Sequence, residues 1–340
     1  MPNPVHPDLL QQLRITAGDG PVLITTHDSP DPDALASGLA LATLLKEIQG
    51  IDSDLIYTGL VGRAENRAVL RFLTPEWQYA DQLLDFHQYT AVALVDSQPG
   101  AGNNSLPSSF IPHIVIDHHI PFRPETAFVP YKDVRADVGS TASMLYQYLA
   151  AADIVPSARL ATAMFYGLRS DTSGLARNAT VTDSVIYSLL VSLMDHSLLN
   201  QVLLNGLARE YFHAFQSGLQ NAKITGHTIT AYLGNIHRPD LVAEMSDLLV
   251  RLEHVHTALC LGCFENVIYL SLRTGAPLRN AGIILQDVVT GYGTACGHGT
   301  IAGGQVPVNG KDPEDLAASL AQKFLRTTKE TGPATPLIEA

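Results

Sequence analysis

Val22-Leu23-Ile24-Thr25-Thr26-His27-Asp28-Ser29-Pro30-Asp31-Pro32-Asp33, continuing into Ala34 to Ile48 (ALASGLALATLLKEI), decides how this chain is read. A short apolar run ends in an imidazole and three carboxylates, and apolar residues at helical spacing begin directly after Asp33. The arrangement recurs along the chain. Ala91 to Val95 runs into Asp96, and Ile114 to Ile116 runs into Asp117-His118-His119. The apolar stretch Ala161 to Leu168, read with them as a strand, is followed by Asp171. In an open parallel sheet the carboxyl ends of the strands share one edge, and ligands bind in the crevice there. Separate segments therefore deliver carboxylates and imidazoles to one place, which is how a two-metal hydrolytic site is assembled.

Strand-like and helix-like segments alternate through the first half, which predicts a doubly wound parallel α/β sheet over 1–190. Asp54 to Gly59 reads as a second strand, Gln82 to His87 as a helix or turn, and Gly139-Ser140-Thr141 as the start of a helix reaching Leu149. Two Pro-rich stretches, Pro99 to Pro112 and Pro121 to Pro130, read as loops. From Val181 to about Gln220 the pattern is helical, so 191–222 is expected to be a helical linker. A smaller α/β domain is expected over 223–328. It holds strands at Thr228 to Leu233, His256 to Cys263 and Val267 to Leu272, with a helix near Asp240 to Leu252. The Gly-rich run Gly291 to Gly304 and a helix from Pro313 to Phe324 close it. The tail from Thr327, with 329–340 outside the domain, carries Gly332, Pro333 and Pro336 and is expected to fray.

At 340 residues, 46% hydrophobic and 16% charged, the chain has the composition of a well-buried two-domain protein. Its apolar runs break well before the ~18 residues a membrane span needs, and Met1 to His6 shows no secretory signal. Cys260-Leu-Gly-Cys263 lies inside a strand-like run and reads as two small buried residues rather than a redox or zinc motif. A cytoplasmic location is expected. The formal net charge of −12 lacks the basic balance that duplex nucleic acid demands, so duplex DNA and membranes are not expected partners. Short oligonucleotides or small phosphorylated molecules fit better, and homodimerisation is left open.

Asp31 and Asp33 stand two apart on a loop stiffened by Pro30 and Pro32, a spacing able to serve two ions. One of them could instead cap the following helix, which leaves His27 and the other carboxylate unexplained. Asp96 could bridge both ions; alone it would read as a turn residue before Ser97-Gln98-Pro99-Gly100. Adjacent His118 and His119 on an extended segment are expected to point to opposite sides, one to metal and one to substrate. Asp117 would then support a histidine. Trp77 is expected to pack rather than to stack on a base.

Together, His27-x3-Asp31-x-Asp33, Asp96, Asp117-His118-His119 and Asp171-Thr172 resemble, in order and spacing, the motifs of the DHH phosphoesterase superfamily. The second block resembles the associated DHHA1 domain, which ends in Gly-Gly-His-x-x-Ala-Ala-Gly. Here that motif is Cys296-Gly297-His298-Gly299-Thr300-Ile301-Ala302-Gly303, with Cys296 and Ile301 departing from it. The resemblance covers about Leu9 to Leu325. It implies that His27, Asp31 and Asp96 hold one divalent ion, and that Asp33, Asp96, His118 and Asp171 hold a second. Hard carboxylates with imidazoles and no thiolate suit Mn²⁺, with Mg²⁺ or Co²⁺ as substitutes. Catalytic roles fall to His119, Asp117 and Asp96, and substrate binding to Arg273, Gly297, His298, Gly303 and Gly304. The implied activity is hydrolysis of short oligonucleotides or linear dinucleotides of the pApA type. Exopolyphosphatase or 3′,5′-bisphosphate nucleotide phosphatase activity is the alternative, and a non-catalytic nucleotide-binding protein the rival from another class. A DHHA2-type pyrophosphatase is disfavoured by the Gly-rich motif, and a RecJ-like long-strand exonuclease by the acidic balance.

Overall fold

A computed structural model of the chain describes residues 7–338 apart from 83–85, 87 and 276–279, with Pro7 and His298 described by backbone alone. The helix or turn expected across Gln82 to His87 falls largely outside the described residues. The chain divides into two compact units, 1–205 and 206–340.

The first unit runs α1 (Pro7–Ala17), β1 (Val22–Thr25), α2 (Pro32–Gln49), β2 (Ser53–Tyr57), α3 (Ala64–Ala68), β3 (Trp77–Tyr79), β4 (Ala91–Val95), β5 (Ile114–Asp117) and β6 (Tyr131–Val134). Helices α4 (Thr141–Ala151), α5 (Ala158–Asp171), α6 (Val181–Leu193) and α7 (His196–Leu203) follow. The six strands form one sheet in the order β3-β2-β1-β4-β5-β6, every pairing parallel. Strands buried on both faces need no alternation, and β1, β4 and β5 are buried along their whole length. The strand order reverses between β1 and β4, the switch point at which open α/β sheets bind ligands.

Helix α2 is cut cleanly at both ends. Asp31 caps its N-terminus, Pro32 takes the first turn, and Gly50 closes it at φ +72°. Twelve of its residues are buried, so it packs as a core helix. Trp77 is 5% exposed and donates its indole N–H to the Leu35 carbonyl at 2.9 Å, a packing role. Its ring leaves no room beside Gly38, where a Cβ would come within 2.2 Å of it. Gly38→Ala is therefore expected to destabilise this unit by about 1–3 kcal/mol through overpacking. Trp77 is the chain's single tryptophan, so its fluorescence during thermal unfolding reads the effect.

Ala161 to Leu168 is not a strand. Ser157 caps a helix there, α5, which carries Asp171 on its last turn. A short continuous apolar run does not distinguish a buried strand from a buried helix, and Ala161, Ala163, Met164 and Leu168 pack in the core. The stretch expected as a helical linker, 191–222, is helical, and its helices divide between the two units. Leu190 of α6 and Val202 of α7 are buried in the first unit's core, whereas α8 (Arg209–Gln220) packs on β8 in the second.

The second unit continues with β7 (Lys223–Thr225), β8 (Thr228–Asn235), α9 (Leu241–Leu249), β9 (Thr257–Phe264), β10 (Val267–Thr274) and α10 (Ala281–Val289). It closes with β11 (Thr294–His298), β12 (Ile301–Pro307), α11 (Pro313–Thr328) and β13 (Thr335–Pro336). Its seven strands order as β11-β12-β10-β9-β8-β7-β13, antiparallel except for β8 beside β9. The Gly-rich run forms the β11–β12 hairpin. The tail does not simply fray: Thr335 and Pro336 pair with β7, and Leu337 donates its N–H to the Ala222 carbonyl at 2.9 Å. No helix among the described residues is long and apolar enough to cross a membrane.

Cys260 and Cys263 are buried and Cys296 is exposed. Burial pushes the Cys260 thiol up to about 12 and raises Cys263. Because thiolate is the reacting form, an aromatic disulfide reagent at pH 8 is expected to titrate one cysteine in the native protein and three after denaturation.

Candidate metal centre

Three carboxyl ends meet at the switch point. Beyond β1, His27 donates Nδ1–H to the Asp28 carbonyl at 3.0 Å, leaving Nε2 facing Asp31 at 3.9 Å and Asp96 at 3.6 Å. Asp31 serves twice. Its Oδ1 accepts from the backbone N–H of Asp33 and Ala34 at 3.0 Å each, so the cap of α2 and the cluster share one carboxylate. Asp28 does not join them: its Oδ1 accepts from Thr58 and Ser105 and ties the loop to its neighbours.

Asp96, just past β4, stands at the middle. Its φ of +56° is in the left-handed region, which Asp tolerates better than most residues. Oδ1 accepts from the Thr141 hydroxyl at 2.7 Å and lies 3.6 Å from His118 Nε2 and 3.7 Å from His119 Nδ1. Asp33, fully buried, accepts from the N–H of Thr141 and Ala142, at 2.7 and 2.9 Å, on the first turn of α4. His118 Nε2 lies 3.1 Å from Asp171 and 4.0 Å from Asp33.

Three ligand sets result, each with its donor atoms within 4.8 Å of one another: His27, Asp31 and Asp96; Asp33, His118 and Asp171; and Asp96, His118 and His119. Asp96 Oδ2 and His118 Nε2 are buried with no hydrogen-bond partner. Buried polar atoms are seldom left so, and here each faces ligand-type atoms on the far side. The donor set is oxygen with imidazole and fits hard divalent cations.

The electrostatics agree. Burial, then the neighbouring Asp96, Asp171 and Asp31 carboxylates, raises Asp33 well above the usual carboxylate range. Burial and Asp31 push Asp171 up to about 6. Burial opposes charge on Asp96 as well, yet His27, His119 and His118 hold it below the usual range. Burial would depress His27, but Asp31 and Asp96 raise it well above the ordinary imidazole value. Mutually repelling carboxylates packed out of water are stable once a cation sits among them.

A family model described as the DHH family, N-terminal domain, matches residues 21–168. Residues 21–168 therefore carry a DHH-family N-terminal domain. It is 35% identical over 291 residues to an uncharacterised protein of Methanocaldococcus jannaschii, an alignment covering 85% of this chain and 58% of that one. It is 28% identical over 151 residues to a probable manganese-dependent inorganic pyrophosphatase of Streptococcus agalactiae, covering 44% of this chain and 48% of the relative. The chain thus spans about half the length of these curated relatives. Its fold is shared with an exopolyphosphatase-related protein from Bacteroides fragilis, at TM-score 0.75 and 16% identity, covering 97% of this chain and 98% of the other.

Within this DHH centre the two histidines do not diverge as expected. β5 ends at Asp117, so strand alternation no longer governs His118 and His119, whose ring centroids are 4.2 Å apart and which both approach Asp96. Asp117, fully buried, lies 2.8 Å from His119 Nδ1. Burial would lower His119, but Asp117 and Asp96 lift it to about 9.

Sequence reading missed Gln98, Thr141 and Asp183. Gln98, 3% exposed, donates to Asp117 and to the His119 carbonyl while accepting from the Arg123 N–H and the Thr126 hydroxyl. Asp183 accepts from the Gly139 N–H, the Ser143 hydroxyl and Thr180, fixing the turn that presents Thr141. Gln98 and Thr141 lie in stretches legible only as a turn and a helix start, while Thr180-x-x-Asp183 reads locally as a helix capping box and gives no sign that Asp183 also reaches Gly139 and Ser143.

In the second unit, Arg273 donates from Nε to Asp247 at 2.5 Å and from Nη1 to Ser271 Oγ at 3.0 Å. It pairs with Ile301 on β12, which pairs with His298 on β11, so the three share one row of the sheet. Gly303 and Gly304 pair with Ser271 and Leu270. A Cβ on Gly297 would come within 2.5 Å of Ala302, whereas Gly303 would meet nothing nearer than 3.9 Å. Gly297 is thus required by packing and Gly303 is not. The side chain of His298 lies outside what is described.

Proposed function

We propose that this chain is a metal-dependent phosphoesterase acting on short oligonucleotides or linear dinucleotides through two divalent cations, Mn²⁺ by preference. The observation that carries this reading is Asp96, whose two carboxylate oxygens face separate ligand groups, one of them buried without a partner. His27, Asp31 and Asp96 would hold one ion, and Asp33, Asp96, His118 and Asp171 the other. Bound there, the cations supply Lewis acidity toward a phosphoryl oxygen and a nucleophile at neutral pH. The chain's own residues do the rest. Thr141 and the α4 N-terminus fix Asp96 and Asp33 before substrate arrives. Asp117 holds His119 through Nδ1, leaving the Nε2 edge of a half-exposed ring for a phosphate or leaving oxygen. Within the second unit, Arg273, held by Asp247, is proposed to bind phosphate together with the β11–β12 hairpin. Duplex DNA and membranes are not proposed partners, in keeping with the net charge of −12.

The test is Mn²⁺-loaded protein assayed against pApA, RNA and DNA of graded short lengths, adenosine 3′,5′-bisphosphate, polyphosphate and pyrophosphate. Mononucleotide release from the shortest oligomers, lost in Asp96→Asn, is the expected result. Phosphate release from polyphosphate alone would replace the reading with an exopolyphosphatase, and silence on every substrate would leave a nucleotide-binding protein.

A further inference from the structure

The segment that follows the metal centre is unusually apolar for a phosphate-handling rim. Beyond His119, Ile120-Pro121-Phe122-Arg123-Pro124-Glu125-Thr126-Ala127-Phe128 holds a single cation, Arg123, and that is offset by Glu125. Ile120 is 64% exposed, Phe122 59% and Phe128 75%. Large apolar side chains left this open beside a site are candidates for ligand contact. The turn is not loose. The buried Gln98 amide holds both of its ends, donating to the His119 carbonyl at 2.9 Å and accepting from the Arg123 N–H at 2.9 Å. The same amide nitrogen donates to Asp117 at 2.8 Å, and Asp117 lies 2.8 Å from His119. Metal centre and apolar turn are therefore one hydrogen-bonded body, and Phe122 lies no more than about 11 Å along the chain from His119.

We infer that Ile120 and Phe122 form a stacking platform for the nucleobase attached to the scissile phosphate. The inference rests on the phosphoesterase reading above and deepens it by naming the residues that would hold the base. A polyphosphate chain gains nothing from exposed aliphatic and aromatic surface and would call for several cations where this turn has one. A base, by contrast, has an apolar face, and aromatic stacking tolerates any base because every base offers one. It also needs no hydrogen-bond readout, as suits an enzyme that clears short oligomers of mixed sequence.

The test compares Phe122→Ala, Ile120→Ala and Phe122→Tyr with the parent protein. Both positions are exposed, so thermal unfolding should be unchanged within experimental error. Equilibrium binding is measured by calorimetry with 5′-AMP and with ribose 5-phosphate, and turnover with pApA and with an analogue lacking the base next to the scissile bond. The parent should bind AMP about tenfold or more tightly than ribose 5-phosphate. Phe122→Ala should erase that preference and raise KM for pApA about tenfold, leaving the base-free analogue unaffected, while Phe122→Tyr restores the parent values. Equal AMP affinity and equal KM for parent and both alanine variants would overturn the platform and leave the phosphoesterase intact. Absence of metal-dependent hydrolysis of any phosphoester by the parent would instead sink the activity, whereas the AMP-over-ribose preference would still decide the platform by binding alone.

Discussion

Asp96→Asn is expected to lower metal-dependent turnover by at least about 1,000-fold, some 4 kcal/mol of barrier. Asparagine is the informative choice, because the backbone at this position has φ +56° and asparagine adopts that conformation nearly as readily as aspartate. Alanine would add a backbone penalty to the chemical one. The amide keeps the size of the side chain and can still accept from Thr141, but it removes the charge that faces both ligand groups. Loss of activity with an unchanged unfolding temperature of the metal-free protein would place the effect in metal binding rather than in folding.

Asp171→Asn should separate the two functions of the cluster, stability and metal binding. Asp171 titrates at about 6, and Asp33, His27, His118 and His119 are also raised. Each binds a proton in the native state that the unfolded chain has already released, so the metal-free protein loses stability as pH rises through these values. For Asp171 the window runs from the ordinary aspartate value up to about 6. Asp96, whose value is depressed, acts oppositely and only in strong acid. At pH 8 the neutral asparagine removes a cost of about 3 kcal/mol, which raises the metal-free unfolding temperature by roughly 6–12 °C. The difference should vanish near pH 4. Mn²⁺ behaves in the reverse way. In excess it should stabilise the parent protein by roughly 5–10 °C at pH 8 and less at pH 6, and the variant little at either. Trp77 fluorescence reads the transition of the unit that holds the centre.

The clustering of the candidate ligands was largely legible from sequence for a physical reason. A buried parallel strand must be apolar, and the crevice sits where it ends, so Val22 to Thr25, Ala91 to Val95 and Ile114 to Ile116 point at His27, Asp96 and Asp117 by themselves. Asp171 was placed beside them although its element was misread, since a helix packed on the sheet can deliver a side chain to the same edge. What stayed hidden were contacts between distant segments. The Thr141 hydroxyl reaching Asp96, and Gln98 joining Asp117, His119 and Arg123, depend on register and loop path that no local pattern carries. The pairing of Thr335 with Ile224 across the second sheet is of the same kind.

The most direct test of the account is calorimetric titration of metal-free protein with Mn²⁺ at pH 8, repeated for Asp96→Asn. Two ions per chain in the parent, with at least one lost in the variant, is the predicted result. A parent that binds no Mn²⁺, or a variant that binds two ions as tightly as the parent, would contradict a metal centre organised around Asp96.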